Sequence, residues 1–135
     1  MSAFAAEADI TVHKDPNCGC CSGWVDHLRA AGFSVDVQET ADLVRVRQRY
    51  GVPPELTACH TAIVGGYVIE GHVPALAIRR LLAQRPDVKG IAVPGMPIGS
   101  PGMEGGTPQP YAVILFGQAG QSHYMRFIGV QQVDT

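Results

Sequence analysis

Apolar and polar residues alternate over Ile10-Thr11-Val12-His13, the period of a half-buried strand, and the turn-forming Asp15-Pro16-Asn17 ends it. From about Gly19 to Ala31 the period changes. Trp24, Val25, Leu28 and Ala31 recur at helical spacing, with Gly32 placed to cap the end. Phe33-Ser34-Val35-Asp36-Val37 alternates again as a second strand. Thr40 is suited to cap a second helix that carries Asp42 in its first turn and Leu43, Val44, Val46 and Tyr50 on its apolar side. Gly51 stops this helix and Pro53-Pro54 forbids its continuation. Thr61-Ala62-Ile63-Val64 and Tyr67-Val68-Ile69-Glu70 flank Gly65-Gly66, a hairpin signal. Pro74 suits the first turn of a third helix reaching about Gln84, with Leu76, Ile78, Leu81 and Leu82 as its apolar positions.

The order β-α-β-α-β-β-α predicts an α/β protein with the element order of the thioredoxin fold. In that fold the first βα turn carries the active cysteines. Between Gly90 and Pro110, five prolines and six glycines interleave with Met96 and Met103, a mixture hostile to helix and sheet. This segment is expected to be a loop with a job of its own. Tyr111–Phe116 and Ser122–Phe127 then form a hairpin around Gln118-Ala119-Gly120-Gln121, expected to extend the sheet. Residues 10–130 form one domain on this reading, with 1–9 as a disordered tail.

Composition narrows the partners. With 135 residues, 46% hydrophobic, the chain is long enough to bury a core, and no apolar run approaches a membrane span. The net charge of −2 and the sparse basic residues give no footprint for nucleic acid. Ser2-Ala3-Phe4-Ala5-Ala6-Glu7 reads either as the end of a secretory leader with an A-x-A cleavage site or as a plain Ala-rich start. Export would place the thiols in an oxidising compartment.

The candidate chemistry is sulfur. Cys18, Cys20 and Cys21 lie within four residues at the expected start of the first helix, and Cys59 is followed at once by His60. If the helix begins near Gly19, Cys18 is its N-cap and Cys21 lies one turn on, where the helix dipole favours thiolate. The loop before the third strand would bring Cys59 and His60 across from that helix start. Four readings follow. Two structural bridges would pair Cys18 with Cys21 and Cys20 with Cys59, spending a helix-terminal pair on structure. A thiol–disulfide oxidoreductase would use the Cys18–Cys21 C-x-x-C, although Cys59-His60-Thr61 stands where thioredoxins place a substrate-receiving proline. Zinc would take four such ligands in a closed tetrahedron, usually from two separated pairs. Copper(I) favours crowded soft ligands, and one thiolate can bridge several such ions.

The remaining donors sharpen the choice. Met96 and Met103 sit on a loop with little core to fill, so a thioether ligand or an apolar cap over a metal becomes credible. Met125, in a strand, reads as core. His60 is the foremost imidazole candidate, His72 at the strand-to-helix turn can reach the same edge, and His13 suits a supporting place. His27 and His123 read as structural or surface residues.

Four stretches in order carry a family resemblance. They are His13-Lys14-x-x-x-Cys18-Gly19-Cys20-Cys21-x-x-Trp24, Cys59-His60-Thr61, Tyr67-Val68-Ile69-Glu70-Gly71-His72-Val73-Pro74-Ala75 and Gly95-Met96-Pro97-x-Gly99-Ser100-Pro101-Gly102-Met103. Together they resemble CopG-type copper-resistance proteins, from about Val12 to Phe127. The resemblance implies a periplasmic, thioredoxin-like protein of bacterial copper tolerance that works among other copper-handling proteins. It implies copper bound through Cys18, Cys20, Cys21 and Cys59, with a redox role shifting copper between oxidation states. His60, His72, Met96 and Met103 complete the expected metal set, and several Cu(I) ions sharing bridging sulfurs would keep four thiolates from crowding one monovalent charge.

Overall fold

A computed structural model of the chain describes residues 9–19 and 21–133; the small-residue start and Cys20, both singled out in the sequence, lie outside them. The element order is β1 (Asp9–Lys14), α1 (Cys21–Ala30), β2 (Ser34–Glu39), α2 (Leu43–Tyr50), a 3-10 turn (Pro54–Leu56), β3 (His60–Val64), β4 (Tyr67–Glu70), α3 (Ala75–Gln84), β5 (Gly90–Ala92), β6 (Pro110–Gly117), β7 (Gly120–Ile128) and β8 (Gln131–Val133). All eight strands join one sheet in the order β2-β1-β3-β4-β5-β6-β7-β8. β1 runs parallel to β2 and antiparallel to β3, and β3 pairs antiparallel with β4 across the Gly65-Gly66 turn. The expected mixed α/β order is therefore present, and the pairing of its first four strands is compatible with a thioredoxin-like unit.

Strand alternation sorts the side chains onto two faces. Ile10, Val12, Ala62, Val64, Ile69, Ile91, Val113 and Phe127 meet Trp24, Val25 and Leu28 of α1 and Ile78 and Leu81 of α3 in the main core. On the other face Val68, Ala92 and Phe116 pack with Val52 and Leu56 beneath α2 and the 3-10 turn. Helix α1 buries Cys21, Trp24, Val25 and Leu28, one continuous stripe.

Several local expectations need correction. α1 begins at Cys21 rather than near Gly19, so Cys18 precedes the helix, its amide donating to the Asp15 carbonyl in a turn. α2 is capped by Asp42, whose carboxylate accepts from the Arg45 amide, whereas the Thr40 hydroxyl accepts from Asp42. Val44 and Leu76 are exposed (63% and 48%). Their helices settle with Leu43, Val46 and Tyr50, and with Ala77, Ile78 and Leu81, turned inward instead. Pro74 is the residue before α3, not part of its first turn. The Gly/Pro-rich segment opens with a strand, β5, parallel to β4, and β8 extends the sheet past residue 130.

Candidate metal centre

The centre forms where β1 leaves the sheet, β3 enters it and β4 leaves it. Lys14 pairs with His60 and Thr61 with Glu70, so the chain before α1, the Cys59-His60 step and the Gly71-His72 step share one edge. The Lys14 ammonium donates to the carbonyls of Asp15 and Cys18, tying the turn before α1 to the end of β1. The buried Cys21 points from the first turn of α1 toward His60.

His60 is the hub. Its Nδ1 lies 3.1 Å from the Cys21 sulfur and 3.3 Å from that of Cys59, and its Nε2 lies 2.9 Å from the Gly71 carbonyl. A carbonyl only accepts, so Nε2 carries the proton, and in the neutral ring Nδ1 is the bare nitrogen facing both sulfurs. This is how a metal-binding histidine is usually oriented, by a carbonyl on its far side. His72 brings Nε2 to 3.2 Å from the Cys59 sulfur. Its Nδ1 is buried and has no hydrogen-bond partner among the described residues. An unsatisfied buried nitrogen costs free energy. Two groups of donor atoms result, Cys18 with Cys21 and Cys59, and Cys59 with His60 and His72, each within 4.8 Å and sharing Cys59. The donors are soft sulfur and imidazole nitrogen, a set that suits copper or zinc and not a hard cation.

The sulfurs share protons unequally. A hydrogen bond from Cys21 pulls the Cys59 thiol far below its ordinary range against the effect of burial, aided by His60 and His72. Cys21 is pushed correspondingly up, first by that bond to Cys59, then by burial, then by Cys18. The bond between the two sulfurs therefore favours ionisation at Cys59 over Cys21.

Three parts of the surroundings escaped the sequence reading. Gly71 holds φ at +84°, and a Cβ there would lie 2.4 Å from the Val93 carbonyl oxygen and 2.8 Å from the Ala58 Cβ. Only glycine lets this backbone turn its carbonyl to His60 while its amide donates to the His60 carbonyl. Trp24, read as core, lies over His60 with ring centroids 4.3 Å apart, and its indole N–H donates to the Val73 carbonyl. His60 in turn stacks against His72 at 5.0 Å. The third is a buried pair, Glu70 with Arg47, on the opposite sheet face; a lone acid ending an apolar strand was the available signal.

The other expected donors divide. The methionine loop docks on the first turn of α1, where a Cβ on Gly23 would come within 2.9 Å of the Gly102 Cα. Met103 on that loop is half-buried and Met96 is exposed (47%). Met125 is core, as expected. His13 stacks on Tyr50 of α2, and His27 accepts from the Ala75 amide at the start of α3, a structural place.

Known proteins share this fold. The family model described as "Protein of unknown function, DUF411" matches residues 56–103, the span from the 3-10 turn through both methionines. No curated protein sequence matches the chain. Two solved structures are similar, titled "Copper resistance protein copG" in forms 2 and 1, each 46% identical. They superpose with TM-scores of 0.84 and 0.83, covering 89% and 90% of this chain and 98% of theirs.

Proposed function

The chain belongs to the CopG family of copper resistance proteins, and from that membership we propose that it binds copper as Cu(I) through the thiolates of Cys18, Cys20, Cys21 and Cys59. His60 and His72 add imidazole donors, and Met96 and Met103 add thioethers from the loop. The observation that carries this reading is the pair of donor groups sharing Cys59. A thiolate common to two groups suits a bridge between ions, so several Cu(I) ions divide the negative charge of the sulfurs. The two groups also differ in softness. The all-sulfur group favours Cu(I), whereas one thiolate with two imidazoles is a set that also holds Cu(II), which supports cycling of copper between its oxidation states. The protein does this in the periplasm, exchanging copper with other copper-handling proteins. No helix among the described residues is long and apolar enough to cross a membrane.

Anaerobic titration with Cu(I), followed by native mass spectrometry, tests the reading. More than one copper per chain is expected in the wild type, with most of it lost in Cys59→Ser. One equivalent of zinc with no copper uptake would overturn the proposal. Copper-free protein that reduces insulin disulfides through Cys18 and Cys21 would favour the oxidoreductase instead.

A further inference from the structure

We infer that the buried Glu70 carboxylate, gripped by Arg47 of α2, is the positioning device that aims Cys59, His60 and His72 at the copper. This rests on the copper-binding reading above. Glu70 ends a strand whose other residues, Tyr67, Val68 and Ile69, are all buried and mostly apolar. The carboxylate itself is fully buried. A buried ion pair of this kind is seldom the most stable filling for its volume, since an apolar residue does as well or better. Its connections point to another role.

Three donors converge on it. The Arg47 Nε lies 2.8 Å from Oε2, the Ala58 amide donates to Oε2 at 2.8 Å, and the Thr61 hydroxyl donates to Oε1 at 2.5 Å. The Arg47 guanidinium also donates through Nη2 to the Ala58 carbonyl. Both backbone polar groups of Ala58, the residue before Cys59, are therefore held by one ion pair. Thr61 follows His60, and Glu70 precedes Gly71-His72. All three donor-bearing positions are fixed from the sheet face opposite the sulfurs, since Thr61 and Glu70 point away from the side on which His60 meets α1. The clamp touches no donor atom and acts through the backbone. α2 has no fully buried residue, so Arg47 makes this helix part of the centre.

The test compares Glu70→Gln, Arg47→Lys and, as a control in the main core, Leu81→Ala. Cu(I) affinity is read by competition with a chromophoric Cu(I) chelator under anaerobic conditions, Cys59 exposure by mass-mapped alkylation of metal-free protein, and stability by thermal unfolding. Glu70→Gln is expected to weaken Cu(I) binding about 10–100-fold, the usual effect of losing a ligand's supporting partner, and to change the alkylation rate of Cys59. Arg47→Lys, which keeps the charge and loses the fork, should weaken binding less. Leu81→Ala should lose stability while keeping its Cu(I) affinity within about twofold of the wild type. Wild-type affinity in Glu70→Gln would overturn the inference, as would affinity losses that follow stability across all three variants. Should the wild type take up no Cu(I), the copper reading fails, while the alkylation rates still decide whether the clamp positions Cys59.

Discussion

At the scale of single residues, the candidate centre is an arrangement of backbone carbonyls as much as of side chains. His60 is turned by the Gly71 carbonyl, and Trp24, which covers it, is fixed by the Val73 carbonyl at 2.8 Å. Trp24→Phe keeps the ring over His60 but leaves the Val73 carbonyl without its indole donor in a fully buried place. A loss of about 1–3 kcal/mol is expected from stranding such a group, read by urea denaturation of metal-free protein; unchanged stability would mean that the carbonyl finds another donor. The sulfurs and imidazoles were legible in the sequence because clustered cysteines and a Cys-His step stand out by composition alone. Gly71 and Glu70 were not, because a glycine after a strand and an acid at its end look like ordinary punctuation. Only the folded chain shows that one has no room for a Cβ and that the other is wholly buried.

At the scale of elements, the helices hold the centre by unlike means. α1 inserts a continuous apolar stripe that begins with Cys21 itself, so a potential ligand is also core. α2 rests on the sheet with half-buried side chains and one buried ion pair. α3 begins at Pro74 with no side-chain cap of its own, and His27 of α1 supplies one by accepting from the Ala75 amide. Burial holds the His27 imidazole below its ordinary range, partly offset by Glu104. The folded state thus favours neutral His27, and the unfolded chain binds the proton more readily. Stability from this group is complete above about pH 6.5, the ordinary histidine value, and is lost as the pH falls toward the lowered folded value. Thermal unfolding against pH should therefore show an acid-side decline in the wild type that is smaller in His27→Gln, whose amide oxygen can accept the same bond without titrating. An identical decline in both would remove His27 as its source. Periodicity predicted α1 and α3 well because each has a single dominant apolar stripe. It misjudged α2 because four apolar residues in eight suggested a buried apolar face, whereas Val44 is exposed, Leu43, Val46 and Tyr50 are half-buried, and Arg47 turns inward among them to reach Glu70.

Across the whole molecule, the main core lies between the sheet and its helices and is built of apolar side chains. Ile10, Leu28, Ile69, Ile78, Leu81, Ile91 and Phe127 are all fully buried. Removal of copper by a strong chelator is expected to leave the far-ultraviolet circular dichroism unchanged, and Cu(I) loading should raise the unfolding temperature by binding only the folded state. Unfolding on chelation would instead mark a structural metal. The seven strands and helices from β1 to α3 were readable from alternation and helical spacing, whereas the 3-10 turn was not. β5 was hidden in the Gly/Pro-rich segment because it opens on Gly90, where a Cβ would overlap the Val68 carbonyl oxygen at 1.9 Å. Its three residues are apolar and buried but too few to show a strand period, and three-residue β8 is equally short.

The reciprocal bonds between His60 and Gly71 have an entropic consequence. The Gly71 amide donates to the His60 carbonyl, and the His60 ring donates back to the Gly71 carbonyl, closing a loop across the β3–β4 hairpin. The imidazole rotamer is thereby selected when the hairpin forms. Immobilising a free side chain at the moment of binding costs about 0.5–1.5 kcal/mol, and here that cost falls on folding instead. A metal that binds on the β3–β4 side would meet a ring already oriented, and its exchange there would require no reorganisation of the nitrogen that receives it.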